Sequence, residues 1–205
     1  MKVKICGLTK KDDILDVVHL GADAIGVIFY EKSPRFVSLQ DAEVLFHDVP
    51  AFVNRVGVFV NQSVEFVNEV SDKCKLDYVQ LHGDESVEYC KKVNRKIIKA
   101  FRVATENDIK KIVSYSSLVS AVLLDTKVKG SFGGTGQSFD WGLAIAAKEY
   151  DVPVILSGGI NVSNVQKAIQ LVDPYCIDIS SGVENQPGVK DYNKLEEFIR
   201  LLKVG

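Results

Sequence analysis

No two of the four cysteines, at positions 6, 74, 90 and 176, form a Cys-x-x-Cys pair. That removes a zinc knuckle and a thioredoxin-type dithiol from consideration. Charge of one sign is also missing: 25 Lys and Arg against 27 Asp and Glu leave a formal charge of −2. With no basic excess and no Lys/Arg stripe, nucleic acid is not an expected partner. The opening MKVKICGLTK has charge interrupting its apolar residues and develops no secretory core. The longest strongly apolar run, around Ala24 to Tyr30, is far short of the roughly 20 residues that span a bilayer, so no membrane partner is expected. Reduced thiols in a soluble cytoplasmic protein are the economical reading. At 46% hydrophobic and 25% charged residues, the chain is neither disordered, collagen-like nor a small disulfide scaffold.

What is there is a regular alternation. The 205 residues suit one domain with one substantial core, and no Pro/Ser-rich linker or shift in composition divides them. Short β-branched runs predict strands at Val3–Cys6, Ala24–Phe29, Arg55–Phe59, Tyr78–Leu81, Lys96–Ala100, Val122–Asp125, Val154–Leu156 and Ile177–Ser180. Helix-like segments of roughly ten residues separate them. Ser63 caps a segment with apolar residues at 64, 67 and 70, and Asn161 is expected to cap another before Val162, Val165, Ala168 and Ile169. A last amphipathic helix carries Leu195, Phe198, Ile199 and Leu202 on one side. Eight βα units, beginning on a strand and ending on a helix, predict a single (β/α)8 TIM barrel over residues 1–205. The rival, a doubly wound open sheet, would announce itself with a G-x-G-x-x-G turn after the first strand, and Cys6-Gly7-Leu8-Thr9 is not one.

In such a barrel the site is built at the C-terminal strand ends. Ser157-Gly158-Gly159 and Ser180-Ser181-Gly182 follow strands 7 and 8, the usual phosphate seat, although glycines there also serve plain tight turns. Cys6 and Asp125 end strands 1 and 6, so a thiol and a carboxyl face each other if both point inward, as removal and donation of a proton require. Their alternatives are a small buried hydrophobe and a loop cap. His82, with Gln80 on the same strand face, polarises a substrate oxygen or serves as a hydrogen-bonded structural histidine. Arg35, beside the stiff Pro34, reads as a bidentate contact to a carboxylate or phosphate, or as a solvated loop charge. Gly133-Gly134-Thr135-Gly136 is a loop suited to close over a ligand. Spacing puts Lys4 on the strand face of Cys6, where its charge would lower the thiol pKa. His19 and His47 read as surface residues. Cys74, Cys90 and Cys176 are assigned no chemistry, and Trp141 is expected to pack at the start of the sixth helix.

These blocks carry a resemblance. Lys4-Ile5-Cys6-Gly7, Ser33-Pro34-Arg35, Val79-Gln80-Leu81-His82-Gly83, Leu124-Asp125-Thr126, Gly133-Gly134-Thr135-Gly136, Leu156-Ser157-Gly158-Gly159 and Asp178-Ile179-Ser180-Ser181-Gly182-Val183-Glu184 run in the order found in phosphoribosylanthranilate isomerases. Those are (β/α)8 enzymes of tryptophan biosynthesis, and the resemblance runs from residue 3 to about residue 191. It implies an Amadori rearrangement with Cys6 as general base and Asp125 as general acid, and no metal or organic cofactor. Arg35 would hold the anthranilate end, with His82, Gly134, Thr135, Gly136 and Asp178 also at the substrate. Ser157, Gly158, Gly159, Ser180, Ser181 and Gly182 would hold the phosphate of a small phosphosugar. A histidine-pathway aminoaldose isomerase and a noncatalytic phosphate-binding barrel stand as alternatives, and the state is a monomer or a homodimer.

Overall fold

The computed structural model describes residues 1–126 and 141–203. Eight strands, β1 (Lys2–Cys6), β2 (Ala24–Ile28), β3 (Asn54–Phe59), β4 (Tyr78–Leu81), β5 (Lys96–Val103), β6 (Ala121–Thr126), β7 (Val154–Leu156) and β8 (Cys176–Ile179), form a closed barrel in chain order. Closure is settled by the β1–β8 pairing, parallel with Lys4 opposite Asp178 and Ile5 opposite Ile179, and it excludes the open sheet. Strand bounds depart from expectation mainly at β5, which runs on to Val103 against β6.

The helices are α1 (Lys11–Leu20), α2 (Leu39–His47), α3 (Val64–Lys73), α4 (Val87–Cys90), α5 (Glu106–Lys110), α6 (Trp141–Ala147), α7 (Val165–Val172) and α8 (Tyr192–Lys203). Ser63 caps α3 as its sequence requires, accepting from the Phe66 N–H at 3.2 Å. Two expectations need correction. The fourth helix is a single turn, because the β4-to-β5 connection is the shortest in the series. Asn161 does not cap α7, since its Oδ1 accepts from the Ser163 N–H (2.9 Å) and hydroxyl (2.6 Å), closing a local turn before the helix begins at Val165. After β8 the chain adds a hairpin, β9 (Glu184–Gln186) and β10 (Val189–Lys190), too short and polar to show as alternation in the sequence. No helix among the described residues is long and apolar enough to cross a membrane.

Strand alternation sorts the core into two shells. Outward residues such as Ile5, Val27, Phe59 and Leu124 pack under the helices, with Phe29 stacked on Phe59 at 5.1 Å between ring centres. The inner shell at the N-terminal half of the barrel is apolar: Val56, Ile98, Ala100, Ala121, Leu123, Ile155 and Cys176. Towards the C-terminal ends the inward positions turn polar, with Lys4, Gln80, Asp125 and Asp178 all buried. A buried polar group must find a partner, so this change of composition marks where chemistry is built. Gly26 shows how crowded that end is: a Cβ there would lie 2.8 Å from Cys6 Sγ and 3.1 Å from Lys4 Nζ.

Candidate active site

A cavity of about 590 Å³ opens at the C-terminal end of the barrel. Cys6 of β1 and Asp125 of β6 both line it, from strands three places apart around the ring. Arg35 enters from the loop after β2, and Gln80 and His82 from β4 and its end. Ser157, Gly158 and Gly159 after β7 share the opposite wall with Asp178, Ser180 and Ser181 at β8. Gly182 packs behind that wall, where a Cβ would collide with the Ile160 carbonyl. Gly134, Thr135 and Gly136 lie outside the described residues.

The thiol has a charged neighbourhood that spacing only half foretells. Lys4 Nζ donates to Asp178 Oδ1 at 2.7 Å, with both side chains almost fully buried. Asp178 Oδ2 accepts from the Ser157 hydroxyl at 3.0 Å, so one carboxylate ties the lysine beside Cys6 to the loop after β7. Burial pushes the Cys6 thiol above its ordinary range, Lys4 pulls it down, Asp178 raises it and Lys190 lowers it. The net direction is up. Lys4 thus acts in the expected sense, but burial outweighs it, because a thiolate in a low-dielectric site loses its hydration.

Sequence reasoning missed the cation on the other side. Lys190, on β10, is buried and spends all three ammonium protons: on the Cys6 carbonyl at 2.6 Å, the Ser180 carbonyl at 3.2 Å and Glu184 Oε1 at 2.8 Å. Glu184 in turn grips Arg35, accepting from Nε at 2.9 Å and Nη2 at 2.6 Å. Burial opposes the Glu184 carboxylate, but the Arg35 hydrogen bonds and the Lys190 charge outweigh it and hold its pKa below the usual carboxylate value. Burial also weakens the Lys190 ammonium, with Glu184 pulling the other way. Arg35 is therefore a clamped side chain rather than a solvated loop charge. Glu184 stands in a recognisable motif, whereas Lys190 is a lone lysine in a polar stretch and carries no sequence signal.

Across the cavity, His82 Nε2 lies 3.3 Å from Asp125 Oδ2, while its Nδ1 is 3.4 Å from Gln80 Nε2. The carboxyl at the end of β6 thus stands within ion-pair distance of an imidazole, without hydrogen-bond geometry at Nε2, and the contact is invisible in the sequence. Behind His82, Lys99 of β5 bonds the Leu81 and Gly83 carbonyls at 3.2 and 2.8 Å and Glu85 Oε2 at 2.9 Å. Glu85 also accepts from the Asn61 and Gly83 N–H groups, so the loops after β3 and β4 share one buried ion pair.

The two Ser/Gly loops meet around the same wall. Gly158 and Gly159 both take positive φ, 78° and 70°, and the Gly159 carbonyl is held by the Asn161 and Asn164 side chains at 3.2 and 2.8 Å. The buried Ser180 hydroxyl has no hydrogen-bond partner among the described residues. A backbone freed by glycine beside hydroxyls is chemically suited to receive an anion, although α7 begins too late for its N-terminus to abut the glycines.

Known proteins agree with this architecture. Residues 3–201 match the family model described as N-(5'phosphoribosyl)anthranilate (PRA) isomerase. An N-(5'-phosphoribosyl)anthranilate isomerase of Geotalea uraniireducens is 48% identical over 202 residues, covering 98% of each chain. The crystal structure of phosphoribosyl anthranilate isomerase from Thermotoga maritima superposes with a TM-score of 0.94 at 42% identity, covering 100% of both chains. A crystal structure of phosphoribosyl anthranilate isomerase in complex with reduced 1-(o-carboxyphenylamino)-1-deoxyribulose 5-phosphate gives a TM-score of 0.90 at 40% identity with the same coverage. With matches spanning nearly the whole sequence and the same closed barrel, the chain belongs to the N-(5'-phosphoribosyl)anthranilate isomerase family.

Proposed function

We propose that this chain carries out the Amadori rearrangement of N-(5-phosphoribosyl)anthranilate to 1-(2-carboxyphenylamino)-1-deoxyribulose 5-phosphate, with Cys6 as general base and Asp125 as general acid. One observation carries the reading: a thiol and a carboxyl from separate strands of the barrel open onto one cavity beside two Ser/Gly loops. Family membership and the relative bound to the reduced product support the substrate. Asp125 protonates the furanose ring oxygen and the ring opens to a Schiff base. Cys6 then takes the proton from ribose C2, and the enolamine tautomerises to the ketone. Two Arg35 nitrogens are committed to Glu184, which leaves Nη1 for the anthranilate carboxylate. Ser157, Gly158, Gly159, Ser180, Ser181 and Gly182 hold the phosphate, and His82, Asp178, Gly134, Thr135 and Gly136 contribute to binding the rest of the substrate. The whole chain works as one barrel domain in the cytoplasm, as a monomer or a homodimer.

Loss of anthranilate-type fluorescence from freshly made substrate, measured in EDTA, tests the assignment. Cys6→Ala should abolish turnover. Asp125→Asn should lose about 10²- to 10⁴-fold in kcat while still binding the reduced product analogue. Asp72→Asn, at an exposed carboxylate paired with Arg95, is the control. A folded wild-type protein that binds the analogue but turns nothing over would leave a phosphate-binding barrel with another substrate.

A further inference from the structure

Nothing in the barrel itself requires the hairpin of β9 and β10, yet it is fastened at several points. Thr9 Oγ1 donates to the Gly188 carbonyl at 2.6 Å, and the Lys190 N–H donates to Asp13 Oδ2 at 3.0 Å. Those bonds clip the hairpin over the loop after β1 and the start of α1, and they deliver the Lys190 ammonium to the carbonyl of Cys6. The next residue, Gly7, has φ of +73°, and a Cβ there would lie 2.5 Å from Arg35 Cδ and 2.8 Å from Ser180 Oγ. β1 pairs with β2 as far as Cys6 opposite Gly26, but glycine tolerates either sign of φ, so residue 7 adds little to hold the peptide that follows. The Lys190 ammonium supplies a second anchor at its carbonyl.

We infer that Lys190 is a positioning residue for the Cys6 base: its ammonium fixes the Cys6–Gly7 peptide, and through Glu184 it couples that peptide to Arg35. The inference rests on the proposed role of Cys6. Three acceptors from three elements converge on one buried nitrogen, so rotating the peptide, shifting the Ser180 loop or releasing Glu184 each breaks a charge-assisted hydrogen bond. The charges about the thiol are Lys4 from β1, Asp178 from β8, Lys190 from β10, Glu184 from β9 and Arg35 from the loop after β2. Asp125 and His82 face it across the cavity. The near neighbours are three cations and two carboxylates, a surplus of positive charge that a thiolate would balance. Lys190 is the cation that also holds the backbone of the base.

Lys190→Met, which keeps most of the stem volume, tests this. The expected result is a 10- to 100-fold fall in kcat with KM within threefold. The pH midpoint for alkylation of Cys6 by iodoacetamide should also rise, with the other three thiols replaced by alanine. Glu184→Gln leaves Lys190 on both carbonyls and should instead raise KM about tenfold, with no rise in the alkylation midpoint. Lys99→Met removes an equally buried lysine that does not touch residue 6, and its midpoint should not move. A folded Lys190→Met with kcat within twofold of wild type, or with its loss wholly in KM, overturns the inference. So does an equal midpoint shift in Lys99→Met. If Lys190→Met does not fold, Lys190→Gln is held to the same criteria. Cys6→Ala run beside them separates the two readings: turnover surviving in Cys6→Ala sinks the base, whereas a dead Cys6→Ala with an unimpaired Lys190→Met sinks only the role of Lys190.

Discussion

Two buried lysines, one under the loop after β4 and one beside the end of β1, solve the same problem for different ends. Lys99 and Lys190 each give their protons to two backbone carbonyls and one carboxylate, and both ion pairs are almost fully excluded from water. They differ in what the carboxylate does next. Glu85 spends its remaining capacity on the N–H groups of Asn61 and Gly83, so that network closes on backbone and holds loops. Glu184 spends its own on Arg35, a side chain that lines the cavity, and its lysine holds the carbonyl of the thiol residue. The same chemical unit is a loop anchor in one place and part of a site in the other. What decides between them is the third partner, not the lysine.

The comparison breaks most directly at Lys99. Lys99→Met leaves Glu85 buried without its cation and should cost about 3–5 kcal/mol in urea unfolding; a cost near zero would mean that the loop does not depend on the pair. Replacing both partners sharpens the contrast. Lys99→Met with Glu85→Leu should recover a large part of that loss, because an apolar pair avoids desolvating two charges. Lys190→Met with Glu184→Leu should also recover stability but not turnover, since nothing then holds the Cys6 carbonyl. Recovery of kcat in that second double variant would erase the distinction.

Acid titration probes the Glu184 end of the comparison more gently. The folded pKa of Glu184 is lowered below its ordinary value. Its contribution is therefore present above the unfolded pKa, near 4.5, and lost as pH falls through the lower folded value. Stability measured from pH 6 downwards should decline less steeply in Glu184→Gln than in wild type, and an unchanged acid limb would contradict the pairing. The smallest effect belongs to an exposed pair of the same residue types: Lys73→Ala, which breaks the 2.8 Å bridge to Glu69 on α3, should lower the urea midpoint only slightly, and the difference should vanish in high salt.

The candidate site was legible where a residue type and its place at a strand end coincide. Cys6, Asp125, the Ser157 loop and the Ser180 loop all lie where the strand-by-strand reading put them, on one cavity wall or facing it. The helix series was legible too, down to the Ser63 cap. Reading by period failed for α4, where one turn has too few residues to show a period, and for Asn161, whose side chain found a nearer donor than the helix. Pairings between elements far apart in sequence were out of reach. Asp178 with Lys4 and Lys190 with Cys6 are separated by 174 and 184 positions, and no local pattern encodes either.

By itself the sequence determined the eight-fold βα alternation, the strand ends that carry reactive groups and the resemblance to a family. Each of these is written in residue type and spacing of two or 3.6. Only the tertiary structure decided which charges meet the thiol, that Arg35 is clamped by Glu184, that His82 stands against Asp125 and that Lys190 holds the end of β1. Closure of the barrel through β1 and β8 brings the two ends of the chain together, and a contact made by closure has no signature in either segment alone.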